Sequence, residues 1–368
     1  MAQRIPRFSL EGVADAEASH HPFTTEDGLS LSLTRFRRAR GAPLADPVLL
    51  VHGLTSASDL FIMPEHRNLT SYLLDHGFTD VWAIDSRMSN RFPYNTEPGR
   101  QSLDDLARFD YPAALAELRR HAGPRPVHVI AHCLGSVAFA MSLSAGTVDG
   151  IASFVANSVA LTPRLTAGPR WKLEYGPELL EHVLGLSVLD PRARTGRRFT
   201  PGRALSRLVS LVHQECDNPA CHMISFMWGC GWPALYSHEN LHPVTHERIA
   251  DLLGPSGLSY LRHVRKMVRA GHAVKDDPRD PRHASLPDDY LTDAPGIGTP
   301  ILFLAGDRNH VFGDSNVICH RELSAHAPDR HALAVLPGYG HLDPIIGKDA
   351  DRDVFPRILD FLRLRAAA

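Results

Sequence analysis

Apolar and polar positions form two kinds of pattern along most of the chain, continuous apolar runs and segments of helical period. Short apolar runs, such as those at 47–54, 80–85 and 299–307, are typical of strands that are buried on both faces of a parallel sheet. Segments of helical period lie between them, including one that begins at Ser102, where Asp105 completes a predicted capping box. Strands that alternate with helices predict an α/β protein with a doubly wound, mostly parallel sheet.

The alternation stops in one long stretch, residues 163–295, which is rich in Pro, Gly, Arg and His. We interpret this stretch as a helical cap inserted into a core made of residues 23–162 and 296–368. Residues 1–22 show little periodic pattern and are predicted to form a lead-in segment. The alternating segment 29–36 predicts an edge strand.

A cysteine occupies the sharpest predicted turn between a strand and a helix. Residues 126–141 read PVHVIAHCLGSVAFAM, with Cys133 at the junction and the small residues Ala131 and Gly135 on either side. This is the spacing of the G-x-S-x-G nucleophile elbow, in which a strained turn requires small neighbours. The positive end of the following helix is expected to lower the pKa of the thiol. A buried structural cysteine is the alternative interpretation.

Other stretches supply possible partners for this cysteine. The backbone N–H of Leu54, after the strand that ends in VHG, is expected to join that of Leu134 in an oxyanion hole. His341 follows the last predicted strand, in the chain order nucleophile, acid, histidine. The acid that orients His341 stays open between Asp307, which we prefer, and Asn309. A cysteine–histidine pair depends less on this third group than a serine–histidine pair does.

Four more residues are candidates for binding substrate. His52, His132 and Asp85 stand at strand ends, on the sheet edge where ligands bind in such folds, and His238 lies in the cap. An ion pair of Asp85 with Arg87 that orders the loop is the simpler alternative for the carboxylate.

The cap also contains a group of cysteines and histidines, namely His213, Cys216, Cys221 and His222. The C-x4-C spacing is poor support for a tetrahedral zinc site, so packing and hydrogen bonding that position the cap are the preferred interpretation. We therefore predict neither a metal nor a cofactor.

Composition narrows the possible partners. The chain has 368 residues and a net charge of -2, which gives no reason to expect nucleic acid or an anionic membrane as a partner. No segment approaches the roughly 20 apolar residues of a membrane helix, and the N-terminus lacks the apolar run of a signal peptide. Five cysteines, an odd number, argue against a disulfide framework, so a cytoplasmic protein with reduced thiols is expected.

Several longer segments together resemble one family. They read DVWAIDSRMS, DDLARFDYPAAL, HVIAHCLGSVAFAMSL, ECDNPACHMISFMWG, YSHENLHPVTHERI and PGYGHLDPIIGKDA. The chain, over about residues 23–365, resembles the α/β-hydrolase domain that is found fused to cholesterol-oxidase-like GMC flavoproteins. The resemblance implies an α/β-hydrolase fold, and it supports Cys133 as nucleophile because that family carries a histidine–cysteine pair at its elbow. We expect no flavoprotein half in this sequence, since no G-x-G-x-x-G follows the first strand.

The reactivity of the Cys133 sulfur determines the reaction that we expect. A thiolate exchanges readily with a thioester donor, and the resulting acyl-enzyme reacts well with amines, thiols and carbanions. We expect an acyltransferase that takes an acyl group from an apolar small-molecule substrate, linked as a thioester to coenzyme A or a carrier protein. It passes the acyl group to a bound acceptor, which in an intramolecular case gives cyclisation. The alternatives are an ester or thioester hydrolase and a non-catalytic partner of a separate GMC oxidoreductase.

Overall fold

The computed structural model describes residues 10–38, 46–97, 101–195 and 199–366. Its strands are β1 (Glu17–Thr24), β2 (Ser30–Arg37), β3 (Val48–Val51), β4 (Asp80–Asp85), β5 (Val127–His132), β6 (Ile151–Asn157), β7 (Val188–Leu189), β8 (Ser256–Gly257), β9 (Ile301–Gly306) and β10 (Ala332–Leu336). In the described residues one sheet has the order β1-β2-β4-β3-β5-β6-β9-β10. The pairs β1–β2 and β2–β4 are antiparallel, and the others in this sheet are parallel.

The central strands are the apolar runs of the sequence. Every residue of β3, β4, β5 and β9 is buried, which is the pattern expected where helices cover both faces of a sheet. The predicted edge strand at 29–36 is wrong in one respect, because β2 has a neighbour on each side. The mostly exposed β1 forms the edge instead, so the predicted lead-in contributes the first part of a strand. Residues 1–9 of that lead-in lie outside the described part of the chain.

The helices cover the two faces of the sheet and build the cap. They are α1 (Leu69–Asp75), α2 (Leu103–Asp105), α3 (Tyr111–Ala122), α4 (Cys133–Ser144), α5 (Ala167–Glu178), α6 (Pro201–Val212), α7 (Pro219–Trp228), α8 (Pro243–Glu247), α9 (Ile249–Leu252), α10 (Ser259–Ala270), α11 (Tyr290–Asp293), α12 (Ser315–Ser324), α13 (Asp343–Ile346), α14 (Ala350–Asp353) and α15 (Phe355–Arg363). The predicted capping box at Ser102 and Asp105 is confirmed. A π turn, Leu106–Asp110, joins α2 to α3 just before Pro112.

The cap lies between β6 and β9 and consists mainly of short helices. A second π turn, Leu179–Val183, extends α5, and the short antiparallel pair β7–β8 lies within the same stretch. The cap has a small apolar cluster of its own, which contains Leu180, Leu189, Met227 and Leu258. None of the helices in the described residues has both the length and the apolar character that crossing a bilayer requires.

Candidate active site

Cys133 lies at a strained junction between β5 and α4. Its φ of 55° falls in the left-handed region, which is uncommon for a residue with a side chain. The helix can leave the strand this sharply because Gly135 has no side chain, and a Cβ there would lie 2.1 Å from the backbone oxygen of His52. At Gly53 a Cβ would lie 2.8 Å from that of Cys133. The glycine of the motif, Gly135, and the neighbouring Gly53 are therefore required by steric contacts.

Two backbone N–H groups converge on the sulfur. The amides of Leu54 and Leu134 both hydrogen-bond the Cys133 thiol, one from the loop after β3 and one from the first turn of α4. An oxygen that develops negative charge next to the sulfur would find the same two donors. The structure thus brings Leu54 and Leu134 together in the arrangement that the sequence predicted.

The protonation state of the thiol differs from the expectation. Burial raises the pKa of Cys133 to about 12, and the two backbone hydrogen bonds oppose this shift without overcoming it. From the sequence alone, the expectation was that the helix end lowers this pKa. It was wrong because the partial charge of a helix end is smaller in effect than the loss of water around the sulfur.

His341 lies next to the thiol, on the loop between β10 and α13. The Cys133 sulfur and a ring nitrogen of His341 are within 4.8 Å of each other. The loop is held by two hydrogen bonds, from the His341 N–H to Leu235 O (2.8 Å) and from Ser158 Oγ to His341 O (2.8 Å). Burial lowers the pKa of the imidazole to about 3, so His341 is neutral near pH 7 and able to accept a proton.

Neither predicted acid orients this histidine. The Asp307 carboxylate is exposed and accepts a hydrogen bond from Gly338 N (2.7 Å). Asn309 Oδ1 instead accepts from the N–H groups of Val311 (3.1 Å) and Phe312 (3.2 Å). In the described residues His341 Nδ1 is buried with no hydrogen-bond partner, so both expectations for the third group disagree with this geometry. The loop after β9 turns Asn309 toward its own backbone and Asp307 toward the loop after β10.

The predicted binding histidines lie beneath the elbow. Asn157 Nδ2 donates to His132 Nδ1 at 2.8 Å, and the ring of His132 packs against that of His341 with centroids 4.9 Å apart. His52 Nδ1 donates to Gly53 O, and its Nε2 accepts from Ser86 N at 3.2 Å. Burial lowers the pKa of both rings, and neither lines the cavity described below. The structure therefore gives His52 and His132 positioning contacts instead of the predicted substrate contact.

The Asp85 carboxylate also makes structural hydrogen bonds. Its carboxylate accepts hydrogen bonds from Ser58 N (3.0 Å), Ser58 Oγ (2.9 Å) and Ser89 Oγ (3.0 Å). The alternative ion pair with Arg87 is not formed, because the guanidinium of Arg87 donates to Asp110 and Asp27. Asp85 faces a separate cleft beside β1 and β2, away from the Cys133 cavity, so its predicted substrate role does not fit.

The cap histidine that was predicted to bind substrate lies elsewhere. His238 Nε2 is 3.4 Å from Cys221 Sγ, in a cluster of cap side chains apart from the cavity lining. His222, which the sequence analysis grouped with these cysteines, turns its two nitrogens to Ser210 Oγ and Cys216 O, each at 2.8 Å. His238 thus takes the place that His222 had in the predicted group.

A cavity of about 300 Å³ opens above the thiol. Cys133, Leu134 and His341 contribute to its floor, and α5, α6, α7 and α10 contribute its largely apolar walls. The wall side chains include Leu165, Trp171, Leu173, Tyr175, Leu179, Leu180, Leu205, Leu208, Phe226, Met227, Leu261, Val264, Val311 and Phe312. A site of this size and character suits an acyl chain or another apolar group.

Some residues that shape the site escaped the sequence analysis. Ser158 has a φ of 78° and supports the His341 loop, Asn157 holds His132, and Phe312 packs its ring 5.7 Å from that of His341. Asn157 is the last residue of β6 and Ser158 follows it, so their position at the carboxyl edge of the sheet was the signal that could have identified them. Phe312 had no comparable signal.

The fold and the elbow define the class of protein. The chain has the α/β-hydrolase fold, and residues 46–181 match the family described as having this fold. Among solved structures, a carboxyl esterase from Bacillus coagulans aligns with a TM-score of 0.60 at 14% identity, covering 95% of this chain and 98% of the esterase. An esterase from Pyrococcus furiosus aligns with a TM-score of 0.52 at 15% identity, covering 98% and 97%. The predicted fold class is confirmed.

Curated sequences similar to this chain include lipases. Triacylglycerol lipase 1 of Arabidopsis thaliana is 24% identical over 379 residues, covering 96% of this chain and 88% of the lipase. Gastric triacylglycerol lipase of Bos taurus is 23% identical over 375 residues, covering 93% and 87%. These similarities support an enzyme of the α/β-hydrolase type. The narrower resemblance to a domain fused to GMC flavoproteins stays a prediction.

Proposed function

We propose that this protein hydrolyses apolar carboxylic esters or thioesters through an acyl-enzyme formed on Cys133. One observation carries the proposal. The sulfur stands at a left-handed elbow, under the N–H groups of Leu54 and Leu134, at the floor of an apolar cavity. A buried cysteine that only fills space would not need a strained backbone, two converging amides and an opening toward a cavity.

The neutral pair of side chains sets the order of proton transfers. As the sulfur attacks the carbonyl carbon, its proton passes to the neighbouring ring nitrogen of His341, and the new C–S bond puts negative charge on the oxygen held by Leu54 and Leu134. The carbonyl then reforms, the bond to the leaving alcohol or thiol breaks, and His341 returns the proton to that group. Water, activated by the same ring, then releases the carboxylic acid and regenerates the thiol.

The substrate class follows from the cavity walls. They are apolar side chains over most of their extent, so the acyl chain, not the leaving group, supplies most of the recognition. The similarity to triacylglycerol lipases supports the same proposal, an apolar ester as the substrate. Donors linked to coenzyme A or to a carrier protein remain a proposal within this class.

Acyl transfer is a second candidate, and the missing third group favours it. Because the described part of the chain offers His341 Nδ1 no hydrogen-bond partner, this ring is poorly oriented to activate water, whereas amines and thiols attack a thioester with less help from a base. The apolar walls around the acyl-enzyme would also favour a bound acceptor over water. The two reactions share the same acyl-enzyme and differ only in what removes the acyl group.

Intact-protein mass spectrometry tests both candidates. The wild-type protein is incubated with nitrophenyl esters and acyl thioesters of increasing chain length, beside Cys133→Ala and the matched control Cys230→Ser, which removes an exposed cap thiol. We expect an acyl adduct on the wild type and on Cys230→Ser, and none on Cys133→Ala. An adduct that decays in water supports hydrolysis, and one that persists until an amine or thiol is added supports transfer. Absence of any adduct and of turnover would leave the non-catalytic partner as the surviving alternative.

A further inference from the structure

Four cap side chains outside the proposed active site converge on one point. His213 follows the end of α6, Cys216 lies in the next loop, Cys221 stands in the first turn of α7, and His238 begins a short 3-10 helix. The two sulfurs and one nitrogen of each ring all lie within 4.8 Å of one another. Two thiols and two imidazoles are a frequent ligand set of structural zinc sites.

Both histidines turn the same ring nitrogen toward sulfur. His213 Nδ1 donates to the carbonyl oxygen of Gly231, which leaves Nε2 facing Cys216 Sγ at 3.6 Å. His238 Nδ1 lies 3.4 Å from the carboxylate of Glu215, which leaves Nε2 facing Cys221 Sγ at 3.4 Å. A carbonyl or carboxylate behind the ring is what orients histidine ligands in metal sites. Packing by hydrogen bonds alone would not require both histidines to turn Nε2 toward a sulfur.

The spacing fits a tetrahedral ion. Zn–S bonds of about 2.3 Å and Zn–N bonds of about 2.0–2.1 Å imply sulfur–nitrogen edges of about 3.6 Å in a tetrahedron. The two sulfur–nitrogen distances of 3.6 Å and 3.4 Å match this edge. Two thiolates would also neutralise a divalent cation, which suits a site where Cys221 is fully buried and His213 nearly so.

We propose that the cap of this protein binds one zinc ion through His213, Cys216, Cys221 and His238. On binding, the two thiols release their protons to solvent, four coordination bonds form, and nothing is oxidised or reduced. The hydroxyl of Tyr236 donates to Cys221 Sγ at 2.9 Å and supports that ligand. With four protein ligands the ion has no open position, so its role is structural.

The ion would brace the loop that carries His341. The segment from Leu235 to His238 links the cluster to that loop, because Leu235 O accepts from the His341 N–H (2.8 Å) and Ser237 Oγ donates to Gly338 O (3.1 Å). Coordination of His238 together with the two cysteines would therefore fix the cap segment that holds His341, the candidate base, in place. This proposal does not depend on the reaction assigned to Cys133.

Native mass spectrometry and elemental analysis test the proposal without an activity assay. The protein is produced with zinc in the medium and purified without chelators, as wild type, Cys216→Ser, Cys221→Ser and Cys230→Ser. We expect about one zinc per chain in the wild type and in Cys230→Ser, and less than about a tenth in the two ligand variants. Cobalt substitution of the wild type should give the visible absorption of tetrahedral thiolate coordination.

A second measurement covers the case in which the ligand variants fail to fold. A strong chelator added to the wild type should lower its melting temperature, and added zinc should restore it. Wild type that stays free of zinc after direct addition of the ion would overturn the proposal. A mass two hydrogens lower, located to a Cys216–Cys221 disulfide in freshly purified protein, would do the same, as would full zinc content in both ligand variants.

Discussion

At the scale of single residues, the site keeps its two reactive groups neutral. Burial raises the pKa of Cys133 to about 12 and lowers that of His341 to about 3, so no thiolate–imidazolium pair forms in the free protein. The thiolate fraction, and with it the rate of alkylation by iodoacetamide, should then rise about tenfold per pH unit between about pH 7 and pH 10. Mass spectrometry of the Cys133 peptide after timed alkylation measures this rate.

The variant His341→Ala provides the matched comparison. A neutral imidazole does not hold the thiolate, so this variant should show the same slope as the wild type over the same range. A wild-type rate that levels off below about pH 8, and that resumes its rise in His341→Ala, would mean that the histidine is charged and paired with the sulfur. That result would refute the neutral pair.

The same residues show which chemistry can be predicted from sequence. The elbow spacing and the chain order were enough to predict that Cys133, His341, Leu54 and Leu134 meet, because backbone topology fixes these positions. The sign of the thiol pKa shift was not predictable, since a helix end is visible in the sequence and the surrounding burial is not. The partners of Asp307 and Asn309 depend on the local shape of a loop, which spacing does not encode.

At the scale of secondary-structure elements, the prediction succeeded where the sequence contains continuous apolar runs. The runs at 80–85 and 299–307 became β4 and β9, because a strand buried on both faces has few alternatives. The cap was predicted only as an insertion. The sequence grouped His213, Cys216 and Cys221 with His222 in place of His238. His238 stands 17 positions after Cys221, and only the path of the intervening loop brings the two together.

The rim of the cap should select for acyl chain length. Trp171 on α5 is 68% exposed, yet it lines the cavity, which places it at the mouth. Trp171→Ser removes apolar contact from the distal part of a long acyl chain, and full burial of such a side chain contributes about 1.5–3 kcal/mol. We expect KM to rise about tenfold or more for long-chain esters and to stay unchanged for acetates, with kcat preserved for both. Steady-state kinetics on a series of nitrophenyl esters measures this.

Val183 provides the control on the same extended helix. It is 70% exposed and lies outside the cavity lining, so Val183→Ser should leave the chain-length profile unchanged. Equal losses on acetate and on long-chain esters in Trp171→Ser would point to a disturbed cap fold, and would contradict a role in holding the acyl chain.

At the scale of the whole molecule, several histidines are buried in the neutral form. Burial lowers the pKa of His66, His128 and His331 to about 4, and that of His341 to about 3. In the unfolded chain these rings titrate near 6.5, so the unfolded state binds more protons between pH 6.5 and pH 4. Their contribution is complete above pH 6.5 and is lost as the pH falls toward 4.

Three buried carboxyls act in the opposite sense. Burial raises the pKa of Asp59 to about 7 and also raises those of Asp110 and Asp343, so these groups bind protons in the folded state and favour it as the pH falls. They offset part of the histidine effect within the same range. The buried imidazoles outnumber these carboxyls, because burial also lowers the pKa of His52 and His132. Net proton uptake on unfolding therefore remains, and each net proton corresponds to a slope of about 1.4 kcal/mol per pH unit.

The free energy of unfolding should therefore decrease steeply between pH 6.5 and pH 5, as measured by urea denaturation at half-unit steps. His128→Asn removes one neutral imidazole from β5, while the amide oxygen of the asparagine can still accept from Ser153 Oγ, the partner of His128 Nδ1 at 2.7 Å. The slope of this variant should be lower by about 1.4 kcal/mol per pH unit. His182→Asn, at an exposed position of the cap, should keep the wild-type slope. A flat profile, or one that His128→Asn leaves unaltered, would show that these histidines do not make the fold acid-sensitive.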